Sequence, residues 1–160
     1  MEGVVMDVKM REFMDGDEAA FRELNEAWIK KMFAMEAKDE ATFADPRKKI
    51  LEPGGRILLA EADGAVVGCC ALVAMGPDEY EVAKMSVAED LRGAGIGRKV
   101  LQGIIDLARR IGAKRLYLES SSKLKNAVHL YEALGFQHLP PERIVPSPYA
   151  RADVYMEMAL

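Results

Sequence analysis

The stretch Arg92-Gly93-Ala94-Gly95-Ile96-Gly97-Arg98 constrains this chain more than any other. Three alternating glycines separate residues patterned as a strand from residues patterned as a helix. Glycine lets the backbone adopt positive φ and pass close to a ligand. The first turn of the helix that follows offers unpaired N–H groups and a partial positive charge, which suits a phosphate or pyrophosphate. Arg92, Arg98 and Lys99 add positive charge there, in a chain whose net charge is −4. Two familiar phosphate loops are excluded. Counted from Gly93, the sixth position of a dinucleotide fingerprint is Arg98 rather than glycine, and the Gly-Lys-Ser/Thr of a P-loop is absent.

Around this loop the pattern alternates between strands and helices. Val4 to Arg11 reads as a first strand, and Asp15-Gly16-Asp17 as a turn and helix cap. Phe21, Leu24, Trp28 and Met32 fall at helical spacing. A second short helix is expected from Thr42 to Leu51, stopped by Pro53-Gly54-Gly55. Arg56 to Ala62 and Ala65 to Met75 read as a hairpin across Asp63-Gly64, followed by a strand from Tyr80 to Val87. Ile96, Val100, Ile104 and Ile111 mark a helix ended by Gly112. Leu116 to Glu119 is a short strand, Asn126 to Leu134 a helix closed by Gly135, and Val154 to Leu160 a last strand. This order predicts an α+β fold, a mixed sheet with helices packed on it.

With 160 residues, 50% hydrophobic and 30% charged, the chain fits a single domain spanning residues 1–160 that supports its own core. An acidic balance argues against nucleic acid as a partner. The longest apolar run, Ala65 to Met75, is too short to cross a bilayer. The first residues lack the basic-then-apolar pattern of a secretory signal, so no membrane association and a cytoplasmic address are expected. Cys69 and Cys70 are adjacent, so a strand would send two small buried thiols to opposite faces. They form no metal-ligand pattern with His129 and His138, and no metal is expected.

The glycine loop also matches the Arg/Gln-x-x-Gly-x-Gly/Ala signature of the GNAT superfamily, the acyl-CoA-dependent N-acetyltransferases. Lys84-Met85-Ser86-Val87 resembles that family's fourth strand. The segment from Asn126 through Tyr131 to Leu134-Gly135-Phe136 resembles the one that closes its core. The tail, Ser147-Pro148-Tyr149-Ala150-Arg151 followed by Val154-Tyr155-Met156, is similar to small bacterial members, some of them fused to MarR-type regulators. The resemblance implies a mostly antiparallel sheet of six to seven strands, splayed at its centre and flanked by about four helices. It implies acetyl-CoA as co-substrate, a small-molecule or peptide amine as acceptor, and a monomer or homodimer. The alternative is a non-catalytic acyl-CoA-binding or sensor module with the same fold.

By the same resemblance, the cofactor pyrophosphate would sit on the backbone of Arg92, Gly93, Ala94, Gly95, Ile96, Gly97 and Arg98. The pantetheine arm would pair with Met85, Ser86 and Val87, and Asn126 would hydrogen-bond the cofactor. Tyr131 is the candidate general acid for the leaving thiolate. Glu81 is the candidate base, by its spacing of eleven residues before Arg92, with Glu79, Glu119 and a water chain as rivals. Trp28, Met32, Tyr149 and Arg151 are the candidate acceptor contacts, with Phe33 and Met35 as further pocket residues. Arg22, Arg56, Tyr149 and Arg151 could meet an acidic group on the acceptor, unless Arg151 pairs with a carboxylate such as Asp153.

Overall fold

Strong β-formers on either side of Asp63-Gly64 make the central hairpin of the computed structural model, which describes residues 7–91 and 93–160. Strands β2 (Arg56–Ala62) and β3 (Ala65–Gly76) pair antiparallel across that turn, where Asp63 and Gly64 both take positive φ. Strand β1 (Lys9–Glu12) adds to the outer edge of β2, and β4 (Glu79–Val87) to β3. After helix α3 (Ile96–Arg110) the chain returns as β5 (Arg115–Ser120), parallel to β4. Strand β7 (Val154–Ala159) pairs with β5, and the two-residue β6 (Gln137–His138) pairs with β7. The order is β1-β2-β3-β4-β5-β7-β6, seven strands with one parallel pair.

The sheet separates two cores. On one face α3 buries Val100, Leu101, Ile104 and Leu107 against β2–β5, with Tyr131 and Phe136 from the region of α4 (Lys125–Ala133). On the other, α1 (Glu18–Met32) and α2 (Ala37–Ala44) bury Phe21, Ile29 and Phe43 against Leu59, Cys69 and Ala71. Cys69 belongs to one core and Cys70 to the other, as strand alternation requires. Both thiols are free, and burial pushes both upward, Cys69 to about 12.

Several expectations need correction. Residues 4–6 of the expected first strand lie outside the described residues. Asp17 holds the N-cap position of α1 and its carbonyl accepts the Phe21 N–H, but its side chain caps no helical N–H. Its carboxylate takes the Arg11 guanidinium at 2.8 and 3.0 Å and the Met14 N–H at 2.8 Å. The inward stripe of α1 is Phe21, Asn25 and Ile29; Met32 is 40% exposed. The expected helix from Thr42 to Leu51 is two pieces. Helix α2 starts earlier, at a capping box between Glu36 and Asp39, and ends before Asp45-Pro46, beyond which Arg47–Leu51 forms a π-type turn.

One departure from regular pairing positions the site. Strands β4 and β5 pair only from Glu79–Glu81 to Arg115–Tyr117 and then diverge, leaving the β5-facing edge of residues 82–87 without a strand partner. On its other edge β4 carries a bulge. Cys69 and Ala71 of β3 lie opposite Ser86 and Ala83, so β4 spends one extra residue there. Lys84, inside the bulge, has φ +55°.

Candidate functional site

The divergence of β4 and β5 opens a cleft of about 910 Å³. Its floor is the free edge of β4. The glycine loop and the start of α3 close one end, α4 one side, and α1 with the tail loop before β7 the other end.

At the loop end, Gly93 and Gly95 have φ of +87° and +80°, and a Cβ on either would project into open space. Side chains are disfavoured there for conformational reasons, which leaves the backbone bare toward the cleft. Gly97 and Arg98 line the cleft in the first turn of α3, where N–H groups lack helical partners. Ala94 is an exception among the expected contacts, because its N–H is spent on the Leu91 carbonyl at 3.3 Å. Arg92 lies outside the described residues.

Along the floor, Met85, Ser86 and Val87 line the cleft as expected. The Ser86 hydroxyl itself turns away, donating to the Leu24 carbonyl at 2.7 Å and tying β4 to α1. Asn126 sits in the first turn of α4, exposed to the cleft; the helix cap is Leu124, so the amide is not consumed as a cap.

Tyr131 is buried and lines the cleft from α4, its ring edge-on to Phe136 at 6.0 Å. Its hydroxyl has no hydrogen bond to any described residue. Burial, with a smaller contribution from Cys70, raises its pKa above that of an ordinary phenol. Glu81 faces the cleft from β4, beside Glu119 of β5. Burial and the Glu119 charge raise it to about 7, outweighing the opposing pull of Lys84 and Lys38. Of the rivals, Glu79 is paired with Arg115 at 3.2 Å. Glu119 lines the cleft, but both its oxygens are engaged, by Tyr117 at 2.8 Å and Ser147 at 2.6 Å.

At the far end stand Trp28, Met32, Tyr149 and Arg151, all four lining the cleft. Phe33 and Met35 do not line it. Phe33 lies edge-on to Trp28 at 6.2 Å, and Met35 packs into the α1–α2 core. Arg151 is ion-paired, but not to Asp153. It grips Asp39 with two N–H groups at 2.7 and 2.8 Å and reaches Glu36 at 3.4 Å. Asp153 instead takes the N–H and hydroxyl of Ser122. Arg22 and Arg56 are likewise engaged, with Glu26 and Glu40 and with Glu12.

The residue missed from sequence is Asp39; Lys84 was expected only as a strand neighbour able to depress the Glu81 carboxyl, as it does. Asp39 is fully buried and also accepts from Lys84 Nζ at 3.0 Å and from the Glu36 N–H at 3.0 Å. Burial would raise its carboxyl, but Arg151, the Glu36 N–H and Lys84 outweigh that and hold it at about 2. Lys84 also donates to the Tyr149 hydroxyl at 3.1 Å. The spacing of Glu36 and Asp39 in a capping box was the one local signal available for Asp39. Among the described residues no group of three or more His, Cys, Asp or Glu could hold a metal ion, and no helix is long and apolar enough to cross a membrane.

The profile of the Acetyltransferase (GNAT) family matches residues 17–136. The uncharacterized N-acetyltransferase YjgM of Escherichia coli is 35% identical over 115 residues, 67% of this chain and 69% of that protein. The IAA acetyltransferase of Azospirillum brasilense is 37% identical over 93 residues, 58% of this chain and 61% of that protein. An acetyltransferase of GNAT family from Staphylococcus aureus superposes with a TM-score of 0.85 at 18% identity, over 96% of this chain and 99% of that one. The yncA protein of Salmonella typhimurium, solved with its cofactor acetyl-CoA, gives 0.72 at 22% identity over 96% and 94%. A family profile covering the glycine loop, both splayed strands and α4, joined to a shared fold, leads to one conclusion: the chain belongs to the GNAT family of acetyltransferases.

Proposed function

We propose that this protein transfers an acetyl group from acetyl-CoA to a primary amine, with both substrates held together in the cleft. The observation that carries the reading is the joint placement of Glu81 and Tyr131 along one cleft whose floor is an unpaired strand edge and whose end is a bare glycine loop. An amide-bearing arm can pair with the edge of residues 82–87 as an added strand does. A pyrophosphate suits Gly93, Gly95 and the first turn of α3, and Asn126 adds a polar contact.

Acetyl-CoA, when bound, supplies the acetyl group as a thioester, whose C–S bond breaks as the amine's C–N bond forms. Glu81 takes the proton that the amine must lose. A carboxylate raised to about 7 is basic enough for this yet still ionised in good part at neutral pH. The free edge of β4 offers backbone N–H groups to a carbonyl that gains negative charge. Tyr131, kept protonated by burial, gives its hydroxyl proton to the departing sulfur and recovers one from solvent. Holding the partners in line supplies much of the rate without a covalent enzyme intermediate.

Thiol release from acetyl-CoA across a broad amine panel tests the reading. Turnover with at least one amine is expected. Tyr131→Phe should keep acetyl-CoA affinity and lower kcat by about ten- to a thousandfold. Binding of acetyl-CoA without turnover of any amine would favour an acyl-CoA sensor instead. An unchanged kcat in Tyr131→Phe, with chemistry limiting, would leave that residue as packing.

A further inference from the structure

We propose that the acceptor end of the cleft is built for an amine that also carries a carboxylate, an amino acid in the broad chemical sense. The proposal rests on the transfer reading above and names the acceptor class for it.

The wall formed by Lys84, Tyr149 and Arg151 carries two cations and unspent donors. Asp39 has both oxygens filled, one by Lys84 and Arg151, the other by Arg151 and the Glu36 N–H. Two cations thus share one buried carboxylate, and the trio keeps one positive charge. Glu36 offsets this only in part, 3.4 Å from Arg151 and with its side chain 30% exposed. Of the three N–H groups of Lys84, one goes to Asp39 and one to the Tyr149 oxygen. Of the five on Arg151, three go to Asp39 and Glu36. The Tyr149 hydroxyl accepts from Lys84, and its own proton has no acceptor among the described residues.

These donors are poorly served by solvent, since the Lys84 and Arg151 side chains are only 10% and 12% exposed. They are also held in place. Arg151 stacks over Tyr149 at 4.5 Å and lies 5.8 Å from the Trp28 ring, and Lys84 sits 4.7 Å above Tyr149. A rigid, sparsely hydrated set of cationic donors with N–H groups to spare recognises an anion, and a carboxylate matches it best.

The neighbouring wall has the opposite character. Glu81 and Glu119 face the same cleft, and Glu119 is fixed by Tyr117 and Ser147. This wall draws an ammonium group. Glu81 and Lys84 are three residues apart on β4, so their Cα atoms stand no more than about 10 Å apart. The two poles lie within the reach of one small zwitterion. A diamine would place its second cation against the positive trio, and a neutral amine would leave the donors unspent.

Matched acceptors decide the matter on the intact protein. L-Methionine, β-alanine and 4-aminobutyrate are each compared with the corresponding amide, and putrescine serves as a diamine. Thiol release gives kcat/KM, and calorimetry in the presence of CoA gives acceptor affinity. For at least one pair the acid should exceed the amide by about tenfold or more in both readouts, as expected for lost hydrogen bonds to a charged group. Tyr149→Phe should raise the KM of that acid by about tenfold and leave that of acetyl-CoA unchanged. Amides or putrescine used as well as the acids, or no acid bound or used by a protein that binds acetyl-CoA, would overturn the proposal without touching the cofactor assignment. A protein that does not bind acetyl-CoA at all would overturn the transfer reading and this inference with it.

Discussion

Glu81 and Glu119 share one cleft, yet their surroundings differ. Glu119 has two hydroxyl donors on its oxygens, whereas Glu81 is half-buried beside that negative charge and is raised to about 7. Paired titratable groups with such unequal environments often mark an acid–base site. If Glu81 is the base, it must be ionised to act, so kcat/KM should rise with pH through about 7. Glu81→Gln should erase that limb and lower the rate at pH 8 by about a hundredfold, leaving only the rise set by the amine itself. A variant that keeps the limb near 7 would pass the role to a water chain. The place of Glu81 on the cleft was within reach of sequence through the family resemblance, which fixes a short spacing from the glycine loop. The separation of Glu81 from Glu79 was not, because that depends on the Arg115 pairing across the parallel strands.

At the scale of elements, what was legible follows the strength of the local signal. The hairpin of β2 and β3, with its Asp63-Gly64 turn and alternating residues, was readable nearly to the residue. So was α3, whose apolar spacing and bounding glycines are unambiguous. The region between α1 and β2 was not. Its helical residues carry weak amphipathicity, and Pro46 splits them in a way that only packing reveals. The return from that region into β2 turns on Gly55. A Cβ there would lie 2.3 Å from the Leu72 carbonyl oxygen and 2.6 Å from that of Ile50, both main-chain atoms that cannot step aside. Gly55→Ala should therefore cost at least about 2 kcal/mol, or a fall in Tm of about 5 °C or more. Thermal unfolding checks this, and an unchanged Tm would mean that the π-type turn and β3 can separate freely.

Across the whole molecule, Asp39 ties together parts that are distant in sequence. It sits on α2, Lys84 lies 45 residues later in the β4 bulge, and Arg151 lies 112 residues later in the tail loop. No periodicity or motif reports such a contact, which is why this end of the cleft was the least legible part. Lys84 takes a positive φ that a side chain adopts only at some cost, of order 1 kcal/mol, and the Asp39 pair helps to hold it. The carboxyl is depressed to about 2, so its contribution is present above the ordinary carboxylate range and lost as pH falls through about 2. Such a depression corresponds to about 2 kcal/mol. Asp39→Asn also removes the one carboxylate that both nearly buried cations grip. The stability gap between the native protein and Asp39→Asn should be widest above pH 4 and narrow toward pH 2. Denaturant unfolding at several pH values would reveal this, and a gap independent of pH would mean that charge is not what Asp39 provides.

The proposed acetyl-CoA site joins a bare loop to a free strand edge across the molecule. Calorimetric titration with acetyl-CoA in the presence of a chelator tests that site directly. The native protein should bind in the micromolar range without any metal. Gly95→Asp, which forces a side chain onto a backbone at φ +80° and sets a negative charge at the start of α3, should weaken binding by tenfold or more, as expected from about 1.4 kcal/mol or more of lost interaction. Equal affinity in the two proteins, or no binding by the native one, would contradict the assignment of the cleft.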